Sequence, residues 1–246
     1  MKKILALVLA LALVACASFA LAEGAAVMTH EEYIAAEVEA EVTVETYVQA
    51  TQSWWDGKIS VYAQSEDGAY FIYNMSCSEE DAAKLVEGAK IKVTGYKAEW
   101  AGEVEIGEGA TFEFVDGDAF VAEAEDVTAM LGKEELADRM NAKIAIKDAK
   151  VAASKKADDE TEYPFLYSWD GSGTREDNGG VGADLYFNIE VDGQVYTMTV
   201  ESYLCGSSTD VYQTVENLKV GDTIDLEGFL YWYNGANPHI TNVTVK

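Results

Sequence analysis

Five tryptophans punctuate the chain, and each sits beside residues that make turns. Ser53-Trp54-Trp55-Asp56-Gly57 and Tyr167-Ser168-Trp169-Asp170-Gly171 share an aromatic-Asp-Gly pattern, while Trp100 precedes Ala101-Gly102 and the run Tyr231-Trp232-Tyr233 precedes Asn234-Gly235. Rings held on turns offer non-covalent chemistry: stacking on a planar or ring-shaped ligand such as a sugar, a base or an aromatic side chain. The competing reading is that the same rings plug the ends of a β-barrel. Bond-making chemistry finds no matching pattern. His30 and His239 stand without a Ser or Cys nucleophile motif, no glycine-rich phosphate loop is present, and carboxylates are too numerous for any pair to stand out. The chain therefore reads as non-catalytic, with no cofactor and no metal site.

The segment DGSGTREDNGG at 170–180 imitates a calcium loop, with side-chain oxygens recurring at Asp170, Ser172, Thr174, Glu176 and Asn178. Arg175 stands where the sharp-turn glycine belongs and no Glu closes the loop, so it reads as an acidic hairpin tip within a long insertion at 153–182.

Composition bounds the partners. The 246 residues hold 44 Asp+Glu against 17 Lys+Arg, a formal charge of −27. That balance argues against a generic polyanion binder, which needs cations to displace counterions from phosphates. With 49% hydrophobic residues the chain is too apolar for a disordered acidic tail. Nucleic acid is accordingly disfavoured as a partner, and a carbohydrate or protein ligand at the cell surface is expected instead.

The first residues address the chain. Lys2 and Lys3 precede an apolar run from Ile4 to Ala20, and Ala20-Leu21-Ala22 is a small-x-small cleavage site before Glu23. Residues 1–22 read as a bacterial-type signal peptide, giving a secreted or envelope protein. A second cut is open at Leu13-Val14-Ala15-Cys16, which would leave Cys16 lipidated and the protein membrane-anchored. The apolar residues after Cys16 favour the cut after Ala22.

The rest of the chain is duplicated. LVEGAKIKVTGY at 85–96 matches LKVGDTIDLEGF at 218–229, and VYAQSEDGAYFIY at 61–73 matches YFNIEVDGQVYTM at 186–198. SEED at 78–81 faces SSTD at 207–210, both shaped like helix N-caps with Ser78 and Ser207 capping. Further upstream, VTVETYV at 42–48 resembles IAIKDAKV at 144–151. With the aromatic turns EWAG at 99–102 and WYNG at 232–235, five blocks in one order mark a tandem repeat.

Each block predicts an element. The segments at 42–48 and 144–151 are half-buried strands, and Asp67-Gly68 and Asp192-Gly193 are two-residue hairpin turns. The segments at 111–115 and 240–245 are the fifth strands. A Thr29–Glu32 capping box opens a short helix, residues 120–127 extend the first sheet, and residues 133–140 form a helix with Leu136 and Met140 packing inward. Strand, hairpin, helix, hairpin is the order of a five-stranded Greek-key barrel with its helix between strands 3 and 4. Both halves resemble the small exported bacterial OB-fold domains. The resemblance implies a mainly β protein: a linker at 23–40, one barrel at 41–125, a helical connector at 126–141 and a second barrel at 142–246.

On that scheme every tryptophan falls in the strand 1–2 or strand 4–5 loops, which flank the ligand face of an OB-fold. The expected ligand-binding residues are Trp54, Trp55, Trp100, Tyr62 and Tyr73 in one barrel, and Trp169, Tyr231, Trp232 and Tyr233 in the other. Two linked sites would gain by avidity on a polymer. Cys77 and Cys205 occupy near-equivalent points, read as unpaired and semi-buried, with a bridge between repeats or a reactive thiol at a helix start as alternatives.

Overall fold

The structure, a computed structural model, describes residues 26–156, 159–176 and 181–246. The signal segment with Cys16 and the Asn178 end of the acidic loop lie outside the described residues. Among the described residues, no helix is long and apolar enough to cross a membrane.

Two separate sheets form, each closed on itself. The first repeat runs β1 (Glu41–Thr51), β2 (Lys58–Gln64), β3 (Ala69–Ser76), α2 (Glu79–Ala82), β4 (Lys90–Trp100), β5 (Glu103–Ile106) and β6 (Thr111–Phe114), preceded by α1 (His30–Ala35). The second runs β7 (Glu125–Asp126), β8 (Lys143–Ala152), β9 (Leu166–Tyr167), β10 (Leu185–Val191), β11 (Gln194–Val200), α3 (Asp210–Glu216), β12 (Thr223–Phe229) and β13 (His239–Val245). The first barrel has strand order β1-β2-β3-β5-β4, closed by β1 on β4. The second has β8-β10-β11-β13-β12, closed by β8 on β12. Matched element by element, the two orders are identical, and the chain is mainly β with two tandem five-stranded barrels of OB type.

Period-two alternation builds each core. Val42, Val44 and Val48 of β1 meet Val61, Ile72, Ile91 and Val93 in the first barrel. Leu185, Phe187 and Ile189 of β10 meet Ile144, Met198, Leu226 and Val243 in the second. Gly95 and Gly228 occupy equivalent repeat positions because the fifth strand crosses there. A Cβ on Gly95 would come 2.7 Å from the Ile106 side chain, and one on Gly228 would come 2.2 Å from the His239 carbonyl oxygen.

Several sequence expectations need correction. The fifth strand of repeat 1 is split: Glu103–Ile106 closes the barrel between β3 and β4, and Thr111–Phe114 pairs lower down on β4. Both pieces alternate polar and apolar residues, but in the first the acids Glu103 and Glu105 take buried positions. Asp192 and Gly193 both have positive φ, as a two-residue hairpin turn requires, but neither Asp67 nor Gly68 does. There the loop opens to Ser65–Gly68, and Asp67 accepts the His30 amide at 2.8 Å. Residues 120–127 do not extend the first sheet. Phe120 packs on Tyr47, with ring centroids 5.3 Å apart, while Glu125–Asp126 runs parallel to β8 of the second. The connector helix is a 3₁₀ segment, Glu134–Arg139, with Leu136 buried and Met140 capping its end. The cap of α3 is Thr209, not Ser207, whereas Ser78 and the Thr29–Glu32 capping box stand where expected.

Candidate functional site

The same strand pair is open in one repeat and covered in the other. Along β10 burial alternates strictly: Leu185, Phe187 and Ile189 point into the core, leaving Tyr186 and Asn188 on the outer face. Along β2 there is no such alternation, because Ser60 and Tyr62 are as buried as Ile59, Val61 and Ala63. The outer face of the first barrel lies under the second.

The open face is a cleft of about 870 Å³ on the second barrel. Trp169 comes from the β8–β10 loop, Tyr186 and Asn188 from β10, Thr197 from β11, and Tyr233 and Asn237 from the β12–β13 loop, with Lys155 at one edge. Trp169 is 78% exposed, so its ring faces solvent ready for stacking. Beneath the rings the polar groups are ordered. Thr197 donates to the Asn188 side-chain oxygen at 2.9 Å, and Thr199 donates to that of Asn237 at 2.8 Å. Burial pushes the Tyr186 phenol up to about 12, with Asp184 and Glu201 adding to it, so the hydroxyl stays a donor at neutral pH. Among the described residues no carboxylate lines this cleft, in a chain with 44 of them. Aromatic faces with amide and hydroxyl edges can hold a flat ring and read its rim.

Of the expected residues, the structure brings Trp169 and Tyr233 together in the cleft. Tyr62 and Tyr231 are elsewhere, in the seam between barrels. Tyr62 is fully buried, stacked on Phe229 at 4.6 Å and 22°, and Tyr231 stacks on His239 at 4.5 Å. Neither ring is available to a ligand: each removes apolar surface from water by packing across the seam instead. The Trp232 ring lies against Gly102 at the junction of the two strand 4–5 turns. Trp54 is tied down by its indole N–H, which donates to the Cys77 carbonyl at 2.8 Å. Trp55, Trp100 and Tyr73 remain exposed on the first barrel. The two-site platform therefore reduces to one open OB face, on the second barrel.

The seam joins two rings expected at the ligand face, Tyr62 and Tyr231, to residues that sequence reading gave no such role. Tyr62 and Phe71 meet Phe229, with Leu204 and Tyr231 around them. Four backbone amides donate across it: Ser53 to the Tyr203 carbonyl at 2.7 Å, Lys143 to the Gln64 side chain at 2.8 Å, Trp232 to Glu103 at 2.8 Å, and Asn234 to the Ala101 carbonyl at 2.6 Å. The outward positions of β2 and β10 follow from period two, so Asn188 and Thr197 were legible as outer-face residues. Glu103 and His239 gave no signal.

The thiols and histidines are structural. Cys77 and Cys205 are both free and buried, and no bridge joins them. Burial pushes Cys205 up to about 12 and raises Cys77, which overrides any lowering by the nearby helix starts. His30 is not solvated: its ring meets Tyr70 edge-on at 5.2 Å.

No protein-family model matches the chain, and no curated protein matches it. Solved structures do, at low identity. The chain is 10% identical to a murine DNA-binding protein described as bound with double-stranded DNA, covering 83% of this chain and 96% of that one at a TM-score of 0.39. It is 11% identical to the p204 HINb domain, covering 86% and 100% at a TM-score of 0.36. It is 12% identical to a chain of a Replication Protein A heterotrimer described as bound to single-stranded DNA, covering 85% and 49% at a TM-score of 0.33. Nothing among these matches points to exported bacterial proteins. They do correct the expectation that set nucleic acid aside, since chains matching this one over most of its length are described with DNA bound. Net charge is a sum over the whole surface, whereas a ligand meets only the lining of its cleft. What the chain shares with these structures is a fold built from β-barrels of OB type.

Proposed function

We propose that this chain is an exported, non-catalytic binding protein that takes a short single-stranded nucleic-acid segment on the outer face of its second barrel. One observation carries the reading: the cleft in which Trp169, Tyr186 and Tyr233 surround the amides of Asn188 and Asn237, with no carboxylate among its described lining residues. Bases stack on the rings, and the amides and the Thr197 hydroxyl meet base edges. Stacking tolerates any base, so the mode is weakly sequence-dependent. Lys155, the one cation lining the cleft among the described residues, is paired with Glu160 at 2.9 Å and would exchange that partner for about one phosphate contact. Binding is then driven by stacking and depends only weakly on salt, with a logarithmic slope near −0.7 per phosphate contacted.

Titration of intrinsic tryptophan fluorescence with oligothymidylate at two salt concentrations tests this, with a neutral oligosaccharide of similar length as comparison. Quenching by the oligonucleotide with a shallow salt slope is expected. Quenching by the oligosaccharide alone, or by neither, overturns the reading. The exported state is supported by the charged and apolar runs of residues 1–22. It is tested by the N-terminus of the protein recovered outside the cytoplasm, expected at Glu23, with a lipidated Cys16 as the opposing result.

A further inference from the structure

The seam between the barrels holds carboxyl groups that have no cation to answer them. Glu103 and Glu105 project from β5 toward the second repeat, with 0% and 7% of their surface exposed. Neither has an ion-pair partner among the described residues. Glu103 receives one backbone amide, from Trp232, and its other oxygen has no donor. The side chain of Asn141 adjoins it, and Asn141 gives its amide N–H to the Val104 carbonyl at 3.0 Å. That leaves the Asn141 side-chain oxygen without a donor as well. Asn141 and the Trp232 amide favour the ionised carboxylate, and burial outweighs both, favouring a proton on Glu103.

The surrounding groups offer no other charge compensation. Tyr33 of α1 and Tyr62 of β2 face the same region, as does Tyr231 of the second repeat. All three phenols are raised by burial and stay neutral. His239 is buried and neutral, and Lys97 spends its ammonium on the Ile34 and Ala36 carbonyls. A third acid, Glu201, is different in kind. Burial raises it as well, to about 7, but it accepts from the Tyr203 and Leu204 amides and from Gln52 across the seam, bonds that favour its ionised form.

We propose that this seam is a proton-controlled joint, closed while Glu103 and Glu105 carry protons and loosened when they ionise. Burial pushes Glu103 up to about 8 and Glu105 up to about 7, so the joint weakens across the neutral range. The consequence reaches the cleft. Trp232, whose amide Glu103 holds, directly precedes Tyr233, which lines it. Loosening the joint frees the base of the loop that carries one of the stacking rings. This inference does not depend on which ligand the cleft takes.

Hydrogen exchange on the full chain tests it, read at the four amides that cross the seam: Ser53, Lys143, Trp232 and Asn234. With intrinsic rates corrected, their protection should fall about tenfold per pH unit per acid between pH 5 and 7, as opening becomes linked to proton release. Amides inside the barrels, such as Val44 and Ile189, should not follow. The variant Glu103→Gln with Glu105→Gln mimics the protonated pair and should abolish the slope. If the double variant fails to fold, Glu105→Gln alone should halve it, since Glu105 makes no hydrogen bond that is lost. Flat protection in the wild type, or a slope that survives in a folded variant, overturns the proposal.

Discussion

The Tyr62 hydroxyl lies 2.6 Å from Nδ1 of His239, a hydrogen bond made entirely inside the protein between groups 177 positions apart. It joins strand 2 of the first barrel to strand 5 of the second. Around it Phe229 stacks on Tyr62 and Tyr231 on His239, so four rings form the centre of the seam. The ligand face of one barrel has become the docking face for the other. That relationship decides which of the expected residues can meet a ligand.

Trp169→Ala and Tyr233→Ala should each weaken oligonucleotide binding by about tenfold or more, since each stacked base is worth roughly 1–3 kcal/mol. Trp55→Ala and Trp100→Ala, on the far barrel, should leave it unchanged. Fluorescence anisotropy of a labelled oligonucleotide reads all four. Equal losses from both pairs would return the site to the first barrel.

Phe229→Ala should cost about 3–5 kcal/mol, the usual range for removing a buried phenylalanine. Because the loss falls on the seam, the wild type should unfold in one chemical transition and the variant in two. Far-UV circular dichroism against urea shows the difference. A single, merely shifted transition would mean that the barrels are coupled by other contacts.

Acid stability should depend on His239. Burial holds its pKa down at about 3, against 6.5 in the unfolded chain. Between those values the unfolded chain binds the extra proton and the native one does not, so stability falls as pH drops from 6.5 toward 3. His239→Phe should flatten that limb of the thermal-midpoint profile, at the cost of the Tyr62 hydrogen bond. An unchanged acid limb would place the responsible group elsewhere.

Gly228→Ala should destabilise far more than Gly95→Ala. The new methyl at 228 meets a backbone carbonyl at 2.2 Å, which cannot move without breaking the strand. At 95 it meets an Ile106 methyl at 2.7 Å, which can rotate, and the Ala110 Cβ at 2.8 Å, which moves with a loop residue outside the strands rather than with a paired strand. Overpacking of the second kind costs about 1–3 kcal/mol. Thermal denaturation of both variants gives the order, and a reversed order would refute this account of the crossing.

Much of the architecture was written locally. Alternation along residues 42–48 and 144–151, the caps at Thr29 and Ser78 and the Asp192-Gly193 turn are all near-neighbour effects. Closure of each barrel followed from their order. The split fifth strand was missed because Glu103 and Glu105 are acids at buried positions, against the usual apolar pattern.

The chain alone could not say which copy of a repeated surface would remain open. Tyr96 and Phe229 occupy the same repeat position, yet Tyr96 is 60% exposed and Phe229 is 2% exposed. Likewise Tyr62 disappears beneath the second barrel while Tyr186 lines its cleft. Backbone periodicity sets which side of a strand a residue occupies, and that is readable from spacing. Whether that side meets water, a ligand or another barrel depends on how two finished barrels dock, and the contacts that fix the docking join residues from 79 to 177 positions apart.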